Sequence, residues 1–279
     1  MPLQSFDQSP FKENSEVIVN TPISVPVTKS DGGFWILIAF IGFVVGQLCA
    51  TLLILVAGNV AGKSATQMAQ IAKMAVPPEW FVGVSLAGLW VGFFGASWAA
   101  SHFSGTKRLV ADIGIRFKWI DFIGIPIGVA CQFLVVVLYA PFSKYIVNFN
   151  APAQKLTGGS HGWGFLVIAI LTVIGAPFME ELIFRGVLLK GLLCTLRPRS
   201  SDRRYLGTIG VVSGVAIDSL LFGLAHGELV QLAGLALFGA VLATISYRTS
   251  RLGMNIVAHA SFNLAAILVI LNNRTGVIH

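Results

Sequence analysis

Seven apolar runs of about 20 residues dominate this chain, and a run of that length leaves its backbone few options. Hydrocarbon offers no water to pair with peptide groups, so each run must satisfy its own hydrogen bonds, which a helix does. The runs are Gly33–Asn59, Trp80–Phe103, Ile120–Phe142, Trp163–Leu193, Thr208–Ala225, Leu229–Tyr247 and Gly253–Leu271. They predict an all-α polytopic membrane bundle of about seven transmembrane helices, with six to eight as the range. Composition agrees: 55% of the 279 residues are hydrophobic and 11% charged, where a soluble domain carries about 25% charged residues.

The net charge of +7 does not point to nucleic acid, because the Lys and Arg residues are dispersed among loops and form no face. Placed on alternate sides of a bilayer, the loops sort into one set with twelve basic residues and another with five; Arg185 and Lys190 lie within a run. That asymmetry is the positive-inside pattern. It predicts a multi-pass protein of the cell membrane with a cytoplasmic N-terminus, and the lipid bilayer as its first partner. Residues 1–30 are rich in Ser, Pro, Asn and Val without periodicity, and are expected to be a disordered tail without a signal peptide. Residues 31–279 then form one membrane domain. Cys49, Cys131 and Cys194 are isolated and read as small apolar side chains.

Small residues recur at about four-residue spacing in the second run, at Gly83, Ser85, Gly88, Gly92, Gly95 and Ser97. In lipid such stripes let helices approach closely, so the first three runs read as scaffold. Between Ser104 and Trp119 the charges Lys107, Arg108, Asp112, Arg116 and Lys118 suit either a short interfacial helix or a plain connector.

Three polar clusters interrupt the second half. Charges inside a membrane cost several kcal/mol on most scales, about 2.5–3.5 for Asp, Lys or Arg at a helix centre, and mark functional positions by default. The first cluster is Glu180-Glu181 with Arg185. Glu181 and Arg185 are four apart and can pair on one helix face, which leaves Glu180 pointing about 100° away and uncompensated. Pro177, just before them, removes a helix amide and loosens the turn. The second cluster spaces Asp218, Phe222 and His226 by four. Asp218 is about 12 Å along the helix from His226, too far for direct contact, and reads as structural. In the third, His259 and Asn263 share a face at the same spacing. Each cluster alone also has a structural explanation: a buried ion pair, a headgroup-level histidine, an interhelical hydrogen bond.

Together Glu180, His226, His259 and Asn263 provide a base for water, a partner for it and donors for an oxyanion, which is what peptide hydrolysis requires. Glu180, His226 and His259 could equally be three ligands of a catalytic Zn2+ with an open position. The soluble zinc-protease motif HExxH and the GxSxG elbow are absent.

The ordered strings EELIFR, FGLAH and HASFN closely resemble the EExxxR, FxxxH and HxxxN motifs of the CPBP family of intramembrane proteases, which includes the CAAX-processing endopeptidases and bacteriocin-processing proteins. The resemblance covers about Gly164–Ile270 within a core of about 163–271. It implies that Glu180 and His226 activate water, that His259 and Asn263 stabilise the oxyanion, and that Glu181, Arg185 and Phe222 support them. A membrane-associated or prenylated protein or peptide would be the substrate. Family members have been described both as metalloproteases and as metal-independent glutamate enzymes.

One expectation conflicts with this assignment. If every run crosses the bilayer fully, His226 at the end of the fifth and His259 near the start of the seventh lie some 20–30 Å apart. A proton-coupled transporter, or a non-catalytic immunity or scaffold protein, would use the same intramembrane Glu and His residues without cutting a bond.

Overall fold

The computed structural model describes residues 31–142, 162–196 and 204–275. The predicted N-terminal tail and the connectors 143–161 and 197–203 fall outside them. Among the described residues nine helices follow in order: α1 Gly32–Val60, α2 Ala65–Ala72, α3 Glu79–Ser104, α4 Leu109–Ile113, α5 Gly124–Tyr139, α6 Gly162–Leu196, α7 Arg204–Ala225, α8 Leu232–Thr249 and α9 Gly253–Thr275. A 3₁₀ turn, Trp119–Ile123, leads into α5. Among the described residues there is no strand.

Six of these helical stretches are long and apolar enough to cross a membrane: α1, α3, α5 with its flanking turns, α6, α7 from Gly207, and α8. The chain is an integral, multi-pass membrane protein. The seventh expected span is shorter, with an apolar stretch limited to Gly253–Val269. Helix α2 was not expected. It begins with a capping box, in which Ser64 accepts from the Gln67 amide and the Gln67 side chain accepts from the Ser64 amide.

Helix α1 packs along α3, α7 along α8 and α5 along α9, while α6 runs between these pairs. The α1–α3 contact is made by small residues. A Cβ on Gly92 would collide with the backbone of Gly42 and Gly46, and one on Gly88 with that of Ala50. Backbones this close exchange many dispersion contacts without needing a hydrophobic effect, which lipid does not supply. The scaffold expectation therefore has a specific geometry.

One end of the bundle gathers the first described turn of α1, the end of α6, the 105–119 segment and the α8–α9 turn. Gly32 lies against Gly191 and Thr195, Leu252 N–H donates to Gly114 O at 2.9 Å, Arg251 pairs with Asp121, and Lys190 donates to the carbonyl of Asp112. The Asp112 carboxylate is buried and accepts from Ser101 Oγ at 2.6 Å and from Thr106 N at 2.9 Å. The 104–119 segment is thus a helix-bearing loop fastened to three neighbours. Its exposed Val110, Phe117 and Trp119 are apolar side chains free to meet a bilayer surface.

Candidate active site

Helix α6 carries the carboxylates, and its regular pattern is interrupted on both sides of them. Leu171–Gly175 and Leu182–Leu188 are π-helical, each placing an extra residue in the turn. The short α-helical piece between them, Ala176–Glu181, opens on Pro177 and ends on the two glutamates. These segments, LTVIG and LIFRGVL, are mostly apolar and carry no periodic signal, so neither π segment could be read from sequence.

Glu181 is fully buried and takes three donors. Arg185 Nη1 lies 3.1 Å from Oε1, His259 Nδ1 2.9 Å from Oε1, and Asn255 Nδ2 3.3 Å from Oε2. The expected i, i+4 pair of Glu181 and Arg185 is present. Arg185, equally buried, also donates through Nη2 to Gly239 O at 3.2 Å, and its Nε lies 3.5 Å from Asp218 Oδ2. Its guanidinium sits 4.3 Å from the centroid of the Phe222 ring, a cation–π contact in a desolvated setting.

Glu180 points elsewhere. Its Oε2 is buried, and among the described residues it receives no hydrogen bond. Two imidazoles face it, His226 Nε2 at 3.8 Å and His259 Nε2 at 3.7 Å. These separations exceed hydrogen-bond length and suit a small bridging molecule. His226 Nδ1 donates to Phe222 O at 2.8 Å, which leaves the Nε2 lone pair turned towards Glu180. For His259 the Nδ1 proton is fixed by the Glu181 carboxylate, so Nε2 again faces Glu180.

The conflict over His226 and His259 is resolved by the helix contacts. The separation expected from seven full crossings does not arise: the apolar part of α9 is short, Gly239 of α8 packs on Ser219 and Phe222 of α7, and Asn255, two residues into α9, donates to Leu242 O at 2.6 Å. The start of α9 therefore lies beside the middle of α8, close to the level of the α7 motif. Phe222 stands between the two histidines, with ring centroids 4.9 Å from His226 and 5.6 Å from His259.

Asn263 is placed differently. Its Nδ2 donates to the backbone carbonyl of Thr172 at 2.8 Å, in the first π segment of α6. Sequence reasoning missed Asn255 as a member of the site, although it shares the 255-259-263 face of α9. Asp218 does not reach His226, as expected, and contributes by its contact with Arg185.

The sequence that builds this geometry also matches a known family. Residues 162–265 fit the model of the family described as type II CAAX prenyl endopeptidase Rce1-like. Over that segment, a little over a third of the chain, the sequence is similar to the Rce1-like family. No curated protein and no solved structure matches it. The Rce1-like segment spans α6 to most of α9 and contains every residue of the site, whereas α1–α5 lie outside it.

The donor set also has to be weighed as a zinc site. One carboxylate and two imidazoles, each imidazole anchored through its other nitrogen, is the chemistry that zinc ligands and their supporting partners share. Yet among the described residues no group of three His, Cys, Asp or Glu side chains closes around a metal position. The zinc alternative and the metal-free one share these side chains, and the reaction below uses the side chains alone.

Proposed function

We propose that this Rce1-like protein is an intramembrane endopeptidase that hydrolyses a peptide bond of a membrane-associated, CAAX-type protein or peptide at the cytoplasmic side of the cell membrane. The observation that carries this reading is the meeting of three helices on one atom. Glu180 Oε2, with no donor among the described residues, faces His226 Nε2 and His259 Nε2 at 3.8 and 3.7 Å.

In this mechanism a water molecule lies between Glu180 and His226, giving one hydrogen to Oε2 and the other to the Nε2 lone pair. Glu180 removes a proton as the water oxygen attacks the scissile carbonyl carbon. The C=O π bond breaks and its electron pair moves onto oxygen. His259, carrying a proton on both ring nitrogens in this step, keeps its Nδ1–H on Glu181 and donates its Nε2–H to that oxyanion. The tetrahedral intermediate collapses with cleavage of the C–N bond, and Glu180 returns its proton to the leaving nitrogen, which regenerates the carboxylate. General acid–base transfer of this kind contributes about 10²–10⁴-fold, and one oxyanion donor about 10²–10³-fold.

The basic residues of the α4 segment, Lys107, Arg108, Arg116 and Lys118, and of the α8–α9 turn, Arg248 and Arg251, support the cytoplasmic orientation of that end. The test is direct. A quenched-fluorescence farnesylated peptide ending in a CAAX sequence is incubated with purified protein, wild type beside Glu180→Gln. Cleavage by the wild type alone supports the reading; equal rates for both would remove Glu180 from the mechanism. Proton flux into liposomes without any cleavage would favour the transporter alternative.

A further inference from the structure

The π turn before the glutamates leaves one carbonyl that α6 cannot serve. Ala176 N–H donates to Leu171 O, five residues back. In that register the next donor, for Thr172 O, is residue 177, and residue 177 is a proline without an N–H. The α-helical alternative is closed as well, because the Ala176 amide is already committed to Leu171. A carbonyl left unpaired in a membrane interior costs several kcal/mol. The donor it has comes from another helix: Asn263 Nδ2 at 2.8 Å.

We propose that Asn263 is a positioning residue whose carboxamide supplies the hydrogen bond that Pro177 withholds, and so sets where α6 presents Glu180 to the two histidines. Two attachments one turn apart join α9 to α6. Asn263 holds the Thr172 carbonyl ahead of Pro177, and His259 holds Glu181 just after it. The bend is clamped on both sides, and Glu180 lies within the clamped piece. This role differs from donation to the oxyanion, which the family resemblance assigns to Asn263. Its link to catalysis rests on the protease reading above, whereas the hydrogen-bond repair itself does not.

A double-mutant cycle of Asn263→Ala and Pro177→Ala tests the idea. The Pro177→Ala substitution restores an amide that can serve Thr172 O, so it should remove the need for Asn263. Melting temperature in detergent and cleavage of the farnesylated CAAX peptide are measured for all four proteins. With Pro177 present, N263A is expected to lower the melting temperature and to reduce kcat about tenfold, with KM within about twofold. In the P177A background the kcat loss should shrink to about threefold or less, and the melting shift should shrink with it. Equal losses in both backgrounds would overturn the proposal and leave Asn263 as an oxyanion donor. Coupling in melting but none in kcat would reduce it to a tie between helices, which overturns the positioning role. If N263A does not fold, recovery of a folded double variant supports the proposal and failure of both overturns it. If the wild type leaves the peptide uncut, the protease reading fails while the melting cycle still decides whether Asn263 serves Thr172.

Discussion

His259 donates through Nδ1 to Glu181 Oε1 at 2.9 Å and faces Glu180 Oε2 through Nε2 at 3.7 Å. Adjacent glutamates therefore flank one imidazole, Glu181 bonded to it and Glu180 only facing it, and their roles divide accordingly. The Glu180→Gln variant should fold like the wild type and lose at least about 10²-fold in cleavage rate. Glu181→Gln should instead lower thermal stability, because the fully buried Arg185 loses a charged partner, a loss of about 3–5 kcal/mol when one member of such a pair is removed. Rate and melting temperature on the same two preparations separate the cases.

For His226 the two nitrogens can be tested one at a time. An asparagine at this position retains an amide N–H that can reach Phe222 O but has no counterpart of Nε2. His226→Asn is expected to keep the fold and to lose about 10²-fold or more in kcat, read by steady-state cleavage together with a melting curve. Near-wild-type turnover would remove His226 from water activation.

Metal dependence follows from the arrangement of the same three residues. Purified wild-type protein is expected to contain no stoichiometric zinc by elemental analysis, and its cleavage rate should survive a chelator. Zinc at one equivalent, absent from a His226→Ala and His259→Ala double variant, would instead establish the metalloprotease alternative.

The α1–α3 contact predicts a stability effect without a chemical one. Gly92→Ala forces a methyl group into the backbone of Gly42 and Gly46 and should cost about 1–3 kcal/mol by overpacking. Its detergent melting temperature should fall, while the KM of the surviving folded protein stays unchanged.

Much of this molecule could be read from its sequence because lipid imposes a simple rule on apolar runs. Six of the seven expected spans are helices of crossing length, and Gly88 and Gly92 of the small-residue stripe of α3 are packing surface, as the spacing suggested, whereas Gly95 of the same stripe is exposed with open space beside it. Intrahelical pairs were legible for a similar reason: Glu181 and Arg185 meet because four residues bring them to one face. Relations between helices were not. Parallel full crossings would have kept His226 and His259 apart, and only the lateral contacts of Gly239 with Ser219 and of Asn255 with Leu242 show otherwise. Asn255 passed unnoticed because an amide in a span has many structural uses and its partner, Glu181, lies 74 positions away. Ser64 and Gln67 spelled out a capping box for α2, a local signal available in the sequence but not used.

Helix α8 brings no carboxylate or imidazole to Glu180 and Glu181, yet Arg185 and Asn255 both donate to it, at the carbonyls of Gly239 and Leu242. Its polar share of the site is written in main-chain atoms, beside one apolar side chain, Phe238, whose ring packs edge-on against His259 at 5.4 Å. A mutational scan should therefore find α8 silent for polar side-chain chemistry while remaining sensitive to bulk at 239 and to any proline that shifts its axis. Two relatives with unrelated α8 sequences could hold the same glutamate in the same place.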